Sequence, residues 1–326
     1  MPEENFRNNN QRKALYPPIE PYRQRMMEVG DGHRIYVEEC GNPEGVPIIV
    51  LHGGPGGGCS PMMRRFFDPN HYHIILFDQR GCGRSRPYAT IENNNTWKLI
   101  SDIEFIRKHL GIKSLTLFGG SWGAALSLLY AEQFPSHVNK MILRGVFTMT
   151  TNELEWFYSS NGAAKFWPDA WKIFQSPIPI GERNNMILAY NKRLFGSSPS
   201  EQEKFSRAWT NWENSLASFK SLGHSSNVST EYAKAFARIE NHYFINNGFL
   251  EEDEQIFNNL DSIRNIPTMI IQGRYDMICP PNTAERLHSK LLNSHLTMVP
   301  EAGHAMSEPG IVEALISATE IFKTLN

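Results

Sequence analysis

Short runs of apolar residues alternate with a helical pattern through the first 146 residues of the chain. Each run is apolar throughout, as expected for a parallel strand that is covered on both faces. Between the second and third runs, the apolar positions of 95–111 recur at helical spacing, and Gly111 stands where a helix would stop. This alternation predicts an α/β fold with a mostly parallel, doubly wound sheet. The predicted strands here are PIIVLHGG (47–54), HIILFDQRG (73–81), LTLFGG (115–120) and KMILRGV (140–146).

The pattern changes at Phe147, where strand-like runs give way to helical segments rich in aromatic residues. These segments continue to about Asp261. Strand-like runs return with TMIIQGRYD (268–276) and LTMVPEAGH (296–304), and a closing helix is predicted near 308–324. A sheet interrupted by an insertion of domain size follows from this order. We therefore predict a first core part (1–146), an inserted helical cap domain (147–262) and a second core part (263–326).

Composition limits the classes of partner and the compartment. The 326 residues carry a net charge of −2 and no long basic run, which argues against nucleic acid or an anionic membrane as partner. No run of about 18 apolar residues predicts a membrane-spanning helix. The polar stretch 1–22 has no apolar core like that of a secretory signal. Four cysteines fit no zinc pattern, so we expect free thiols and a cytoplasmic protein.

The GGSWG stretch (119–123) stands between a predicted strand and a predicted helix. A nucleophile held on such a sharp turn needs small residues two before and two after it, and here both are glycine. The helix that follows points free N–H groups at the site. The alternatives are a glycine-rich turn or a phosphate loop, but a Walker loop would require a lysine after the second glycine. We interpret Ser121 as a nucleophile.

A serine nucleophile needs a base and an acid from elsewhere in the chain. In this architecture the order is serine, acid, histidine, and functional groups follow the carboxyl ends of strands. Asp276 and His304 each follow a predicted strand in that order, so we predict that they complete a catalytic triad with Ser121. Asp78 precedes the serine and is expected to hold its own loop. The rival histidines, which fit the order or the placement less well, are His52, His137, His224, His242 and His288.

Donors for an oxyanion are expected in the HGGPGGG loop (52–58), which follows the first buried strand. We assign the backbone N–H groups of Gly54 and of Trp122, the residue after the nucleophile. The alternative is a merely flexible glycine loop, although Pro55 favours a shaped one.

Two glutamates of the helical insertion lie on apolar helix faces. Glu240 shares a face with Phe236 and Tyr243, and Glu213 follows Trp209 by four positions. A carboxylate on an apolar face is costly unless something pairs with it. A substrate ammonium group could be that partner. An internal pair with one of three arginines is equally compatible with the spacing; they are Arg144, Arg207 and Arg238.

These motifs, together with LRG (143–145), ARIENHYF, GRYD and a late GH, resemble the proline iminopeptidases from about Pro21 onward. That family consists of α/β-hydrolase serine peptidases with a helical cap. The resemblance implies that Glu213 and Glu240 bind the free amino group of a substrate, with Phe147, Tyr158 and Arg144 also at the substrate site. A neighbouring aromatic position, often tyrosine in the family, is Phe157 here.

The implied function is that of a serine exopeptidase, which releases N-terminal proline from small peptides through an acyl-enzyme and needs no metal or cofactor. Three alternatives remain: an aminopeptidase of broader specificity, an esterase, amidase or lactonase on the same fold, and a ligand receptor that kept the hydrolase shell. Cys279, three residues after Asp276, is expected near the site in a packing role.

Overall fold

The computed structural model describes residues 14–219 and 228–325. Within these ranges the chain forms one sheet of eight strands, in the spatial order β1-β2-β4-β3-β5-β6-β7-β8. The strands are β1 (Arg23–Glu28), β2 (Arg34–Gly41), β3 (Val46–Leu51), β4 (Tyr72–Asp78), β5 (Leu115–Ser121), β6 (Val138–Val146), β7 (Thr268–Gly273) and β8 (Ser294–Val299).

The part of the sheet that runs β4-β3-β5-β6-β7-β8 is entirely parallel. Strand β1 pairs antiparallel with β2, and β2 pairs antiparallel with β4, whereas every other neighbouring pair is parallel. Parallel strands covered by helices on both faces can be apolar at every position. Strand β4, for example, is buried along its whole length. The predicted α/β fold is therefore confirmed.

Ten α-helices lie within the described ranges. They are α1 (Thr96–His109), α2 (Trp122–Gln133), α3 (Thr151–Tyr158), α4 (Pro168–Gln175), α5 (Met186–Leu194), α6 (Pro199–Leu216), α7 (Thr230–Ile245), α8 (Gln255–Asn259), α9 (Pro281–Lys290) and α10 (Pro309–Thr324). Polar residues begin several of them, because a side-chain oxygen there accepts a backbone N–H that has no partner inside the helix. The side chains of Asn95, Ser198 and Ser229 do so for α1, α6 and α7.

The segment between β6 and β7 is rich in packed aromatic rings. The ring of Phe174 stacks on that of Tyr190 at 4.4 Å between ring centroids and on that of Trp212 at 5.6 Å. Trp209 and Trp212 of α6 are almost completely buried. Such rings bury large apolar areas, which explains the aromatic content of the helical pattern. We call helices α3 to α7 the cap helices.

The sequence pattern predicted six strands and the closing helix α10, and the structure has each of them. Two strands, β1 and β2, and the helix α9 were not predicted. None of the helices in 14–219 and 228–325 is both long and apolar enough to cross a membrane. The division into three parts stays a prediction. His224 and the first 13 residues of the polar amino-terminal stretch lie outside the described residues.

Candidate active site

Ser121 is the last residue of β5 and directly precedes α2. Its backbone angles, φ 58° and ψ −126°, fall in a region that residues other than glycine rarely adopt. The turn is possible because the residues two before and two after Ser121 are glycines, which have no side chain. A Cβ on Gly119 would lie 2.2 Å from the carbonyl oxygen of Gly123, and a Cβ on Gly123 would lie 1.9 Å from that of Leu51. This is the geometry of a nucleophile elbow.

Asp276 and His304 follow the neighbouring strands β7 and β8, and the structure joins their side chains. Nδ1 of His304 lies 2.8 Å from Oδ2 of Asp276. Oδ1 of Asp276 accepts the backbone N–H groups of Ile278 at 3.0 Å and Cys279 at 2.8 Å. Gln272 of β7 donates its side-chain amide to Oδ2 at 3.1 Å. The carboxylate is therefore held in place from both sides.

Arg144 occupies the other side of the His304 ring. Its Nη1 lies 3.1 Å from Nε2 of His304 and donates to the carbonyl oxygen of His304 at 2.9 Å. A guanidinium group has donors only, so Nε2 is the acceptor and Nδ1 carries the proton that points at Asp276. This is the tautomer that a general base at Nε2 requires. Burial lowers the pKa of Arg144, while the charge of Asp276 acts in the opposite direction.

The hydroxyl of Ser121 faces Cys279. Burial raises the pKa of the Cys279 thiol well above its ordinary value, the charge of Asp276 raises it further, and a hydrogen bond with Ser121 lowers it. In the described part of the chain no hydrogen bond joins Ser121 to His304. The structure thus brings Asp276 and His304 together and places Ser121 beside Cys279, the third residue after Asp276. Catalytic hydrogen bonds are often open in a protein without substrate.

The loop 52–58 lies against Ser121. A Cβ on Gly53 would stand 3.2 Å from Cβ of Ser121. The buried ring of His52 shapes this loop, because Nε2 accepts the N–H of Gln79 at 3.0 Å and Nδ1 lies 3.0 Å from the carbonyl oxygen of Gly53. Both ring nitrogens of His52 therefore contact backbone groups. The assignment of the Gly54 and Trp122 N–H groups to an oxyanion stays a prediction.

Asp78 holds loops, as expected from its position before the serine. Its Oδ1 accepts the N–H of Cys59 at 2.7 Å, and its Oδ2 accepts the N–H and the Nε of Arg84, both at 2.8 Å. The carboxylate therefore joins the end of the glycine loop to the loop after β4.

Glu213 of α6 and Glu240 of α7 meet inside the cap helices, where they are 8% and 2% exposed. Their carboxyl groups are hydrogen bonded to one another. Tyr158 donates its hydroxyl to Oε1 of Glu213 at 2.5 Å, and the indole of Trp209 donates to Oε2 of Glu240 at 2.7 Å. Burial raises the pKa of both carboxyls, and the charge of Glu213 raises that of Glu240 further. Both carboxyls are therefore harder to ionise than an ordinary glutamate.

The three arginines that could have paired with these glutamates are engaged elsewhere. Arg144 contacts His304, Arg207 pairs with Glu203 at 3.1 Å, and Arg238 donates to the carbonyl oxygen of Leu194. Among the described residues, no basic side chain forms an ion pair with Glu213 or Glu240. The internal pair that the spacing allowed is therefore absent from this part of the chain.

Aromatic rings surround the carboxyl pair. Tyr158 stacks on Trp209 at 4.5 Å between ring centroids and contacts Phe157 at 4.4 Å. Phe147 is buried and lies edge-on to Phe244, which in turn contacts Tyr158. The residues Phe147 and Tyr158 thus belong to one aromatic cluster. Phe157 is part of it as well, so a hydroxyl at this position is not needed for packing.

Comparison with known proteins gives the same assignment at the level of the family. The model of the alpha/beta hydrolase fold matches residues 46–310. A probable proline iminopeptidase of Leptolyngbya boryana is 48% identical over 95% of this chain and 97% of its own length. The proline iminopeptidase of Arabidopsis thaliana is 46% identical over 96% of this chain and 83% of its own. This chain belongs to the proline iminopeptidase family.

Solved structures support the fold of this proline iminopeptidase family member and not its substrate. The esterase RhEst1 from Rhodococcus sp. ECU1013 matches with a TM-score of 0.63 at 17% identity, over 92% of this chain and 98% of its own. The esterase EaEST from Exiguobacterium antarcticum matches with a TM-score of 0.54 at 23% identity, over 89% and 97%.

Sequence reasoning missed Gln272 and the position of Arg144 beside the His304 ring. Gln272 is completely buried; it donates to Asp276 and accepts the N–H of Val146 at 3.0 Å. A signal for it exists in the sequence, because Gln272 is the one polar interruption in the apolar run MIIQG just before Asp276. The contact of Arg144 with Nε2 has no such signal, since it depends on how strand β6 and the loop after β8, which are far apart in the chain, place their side chains.

Proposed function

We propose that this proline iminopeptidase family member is a serine exopeptidase that releases proline from the free N-terminus of small peptides. The observation that carries the proposal is the buried pair Glu213 and Glu240, which has neutral donors around it and no cation of its own in the described chain. Two carboxyls in such surroundings are costly unless a positive ligand arrives. Functional sites are where such perturbed groups concentrate.

Helix α7, which carries Glu240, lies against the glycine loop and against Trp122, the residue after Ser121. Ile239, the neighbour of Glu240 on α7, meets the glycine loop, since a Cβ on Gly56 would lie 3.1 Å from Cβ of Ile239. Tyr243, one turn further along α7, contacts the ring of Trp122 at 5.1 Å between centroids. A proline bound by its ammonium group at the two glutamates would place its ring among Phe147 and Tyr158. Its carbonyl carbon would then face Ser121.

The reaction begins with a change of hydrogen bonds. The hydroxyl of Ser121 turns from Cys279 to Nε2 of His304, and Arg144 keeps its bond to the His304 carbonyl oxygen. Ser121 attacks the carbonyl carbon while Nε2 takes the hydroxyl proton, and Asp276 stabilises the resulting imidazolium. The N–H groups of Gly54 and Trp122 stabilise the negative oxygen of the tetrahedral intermediate.

The intermediate collapses when the C–N bond breaks and His304 gives its proton to the leaving amine. The rest of the peptide departs and proline stays bound as an ester of Ser121. Water then attacks the ester, with His304 again taking and returning the proton, and free proline leaves.

The remaining expectations concern partners and compartment. We propose a cytoplasmic enzyme whose partners are small peptides with a free N-terminus, and neither nucleic acid nor membrane. The four cysteines are unpaired, which suits a reducing compartment.

The test compares proline p-nitroanilide with its N-acetyl derivative, using the wild type and Ser121→Ala. We expect turnover of the free amine and at least about 100-fold lower kcat/KM for the acetylated compound, because acetylation removes the charge that the glutamates bind. Ser121→Ala should lose at least about 10³-fold in kcat without losing its fold. Equal turnover of both compounds would indicate an amidase or esterase instead. Near-normal turnover by Ser121→Ala would exclude it as the nucleophile.

A further inference from the structure

The end of helix α6 is hydrogen bonded to the loop of residues 300–308, which we call the histidine loop because it carries His304. The backbone N–H groups of His304 and Ala305 both donate to the carbonyl oxygen of Ala217, at 2.9 and 2.7 Å. Ala217 directly follows α6. The last carbonyl groups of a helix have no partner within it, so the histidine loop satisfies one that would otherwise be free.

A single carboxylate oxygen makes a second connection. Oε1 of Glu308 accepts the N–H of Gly303 at 2.9 Å and the N–H of Phe219 at 3.2 Å. Gly303 belongs to the histidine loop and Phe219 follows α6. The backbones approach closely here, because a Cβ on Gly303 would lie 2.9 Å from the nitrogen of Phe219. Glu308 therefore bridges the cap helices and the residue before His304.

The same segment also contacts the loop of the catalytic acid. The ring of Phe219 stacks on that of Tyr275, with 4.6 Å between centroids and 21° between planes. Tyr275 directly precedes Asp276, and its N–H donates to the carbonyl oxygen of Ala302 at 2.9 Å. Residues 217–219 thus touch the neighbours of both Asp276 and His304.

We propose that Glu308 is a positioning residue that sets the backbone of His304 against the end of α6. The inference rests on the proposed function, in which His304 is the general base. Glu308 touches neither the imidazole nor the expected substrate position, and it acts through Gly303 and Phe219. Misplacement of a catalytic group by about 1 Å can cost about 100-fold in rate.

This arrangement connects substrate recognition with catalysis. Glu213 lies on α6, four residues before Ala217, so one helix carries a ligand for the substrate amine and ends on the backbone of the base. A carboxylate with two backbone donors suits this task, because hydrogen bonds to a charged acceptor are stronger and shorter than neutral ones.

The experiment measures kcat and KM for proline p-nitroanilide in Glu308→Ala, Glu308→Gln and a control, Glu301→Ala. We expect Glu308→Ala to lose at least about 10-fold in kcat with KM within about twofold, since positioning affects the chemical step more than binding. Glu308→Gln should recover to within about threefold of the wild type, because its amide oxygen can accept the same two N–H groups. Glu301 is an exposed carboxylate of the same loop, and its removal should change neither constant.

A second substrate separates positioning from binding. The ester p-nitrophenyl acetate has no amine for Glu213 and Glu240, yet its hydrolysis requires His304. We expect Glu308→Ala to lower kcat on the ester and on the anilide by the same factor, within about threefold. A loss confined to the anilide, or unchanged kcat on both, would overturn the positioning role. An inactive wild type would instead overturn the proposed function.

Folding is checked by thermal unfolding of each variant. The side chain of Glu308 makes no capping hydrogen bond to α10, so its removal takes no hydrogen bond from that helix start. Should Glu308→Ala nevertheless fail to fold, Phe219→Pro, compared with Phe219→Ala, tests the same bridge from the cap side, because only the proline variant lacks the N–H that Glu308 accepts. The proline variant should reproduce the loss in kcat on both substrates, and wild-type kcat in this variant would contradict the proposal.

Discussion

Burial raises the pKa of both Glu213 and Glu240, because two negative charges side by side in the interior are costly. An ammonium group between them would offset that cost by interacting with both carboxyls at once. The neutral donors Tyr158 and Trp209 keep the carboxyls oriented without neutralising them. At the residue scale, we therefore expect selectivity for a free amine to come from a carboxyl pair that the described part of the chain leaves without a counterion.

The substitution Glu240→Gln tests whether the buried carboxyl pair gives selectivity for a free amine. We expect kcat/KM for proline p-nitroanilide to fall by about 100-fold, in line with the loss of one partner of a buried charge pair. Hydrolysis of p-nitrophenyl acetate should stay within about threefold of the wild type, because the ester brings no cation. A matching loss on both substrates would show that Glu240 acts on the reaction centre and not on the amine.

The pH profile of the wild type is a second measurement on the pair. As pH falls, Glu213 takes up a proton. Because burial raises its pKa, it does so at a higher pH than an ordinary glutamate, whose pKa is about 4.3. We therefore expect kcat/KM for the anilide to rise with pH through that raised pKa and to decline only when the substrate amine itself loses its proton. The ester profile should lack the first of these steps.

The elbow between β5 and α2 shows how an element places a side chain. Its tight backbone crossing requires Gly123, where a Cβ would stand 1.9 Å from the carbonyl oxygen of Leu51 in β3. We expect Gly123→Ala to destabilise the fold by about 3 kcal/mol or more, because a neighbouring strand of the central sheet would have to move. The matched control is Gly181→Ala, whose Cβ would meet nothing within 4 Å.

Denaturant unfolding of both variants measures the difference. The control should stay within about 0.5 kcal/mol of the wild type. If Gly123→Ala unfolds at the same denaturant concentration as the control, the elbow is not the close crossing described here.

Strands with continuous apolar runs were predictable from the sequence, and strands interrupted by charged residues were not. Strands β3 to β7 are apolar and largely buried, whereas β2 (RIYVEECG) is also buried but its charged residues break the apolar run. Strand β1 (RQRMME) is an edge strand, largely exposed and rich in charge, so its pattern resembles a loop. Ser121, Asp276 and His304 could be predicted because each stands at the end of a predicted strand, in the order serine, acid, histidine. The hydrogen bonds of His304 to Arg144 and to the end of α6 could not, because they depend on packing between segments far apart in the chain.

The free energy of unfolding is a property of the whole molecule, and Glu132 near the end of α2 should make it depend on pH. Burial raises the pKa of Glu132 to about 8, and its Oε1 has no hydrogen-bond partner among the described residues. The folded protein therefore holds a proton that the unfolded chain, with a glutamate pKa near 4.3, has lost. Stability falls as pH rises between these two values.

Glu132→Gln removes this dependence, because an amide does not ionise. We expect its melting temperature to match that of the wild type near pH 4.5, to exceed it increasingly up to about pH 8, and to stay a constant margin above it at higher pH. Thermal melts at pH 5, 7 and 9 check the trend. A margin that does not change with pH would mean that Glu132 is ionised in the folded state as well.

The insertion of the cap helices between β6 and β7 also has a consequence for biosynthesis. A chain emerging from the ribosome presents Ser121 early, but Asp276 and His304 follow only after all the cap helices have been made. Domains generally fold as units, and N-terminal parts fold first. A half-translated chain would thus carry the proposed nucleophile without the proposed general base, so we expect hydrolase activity only once synthesis has passed His304.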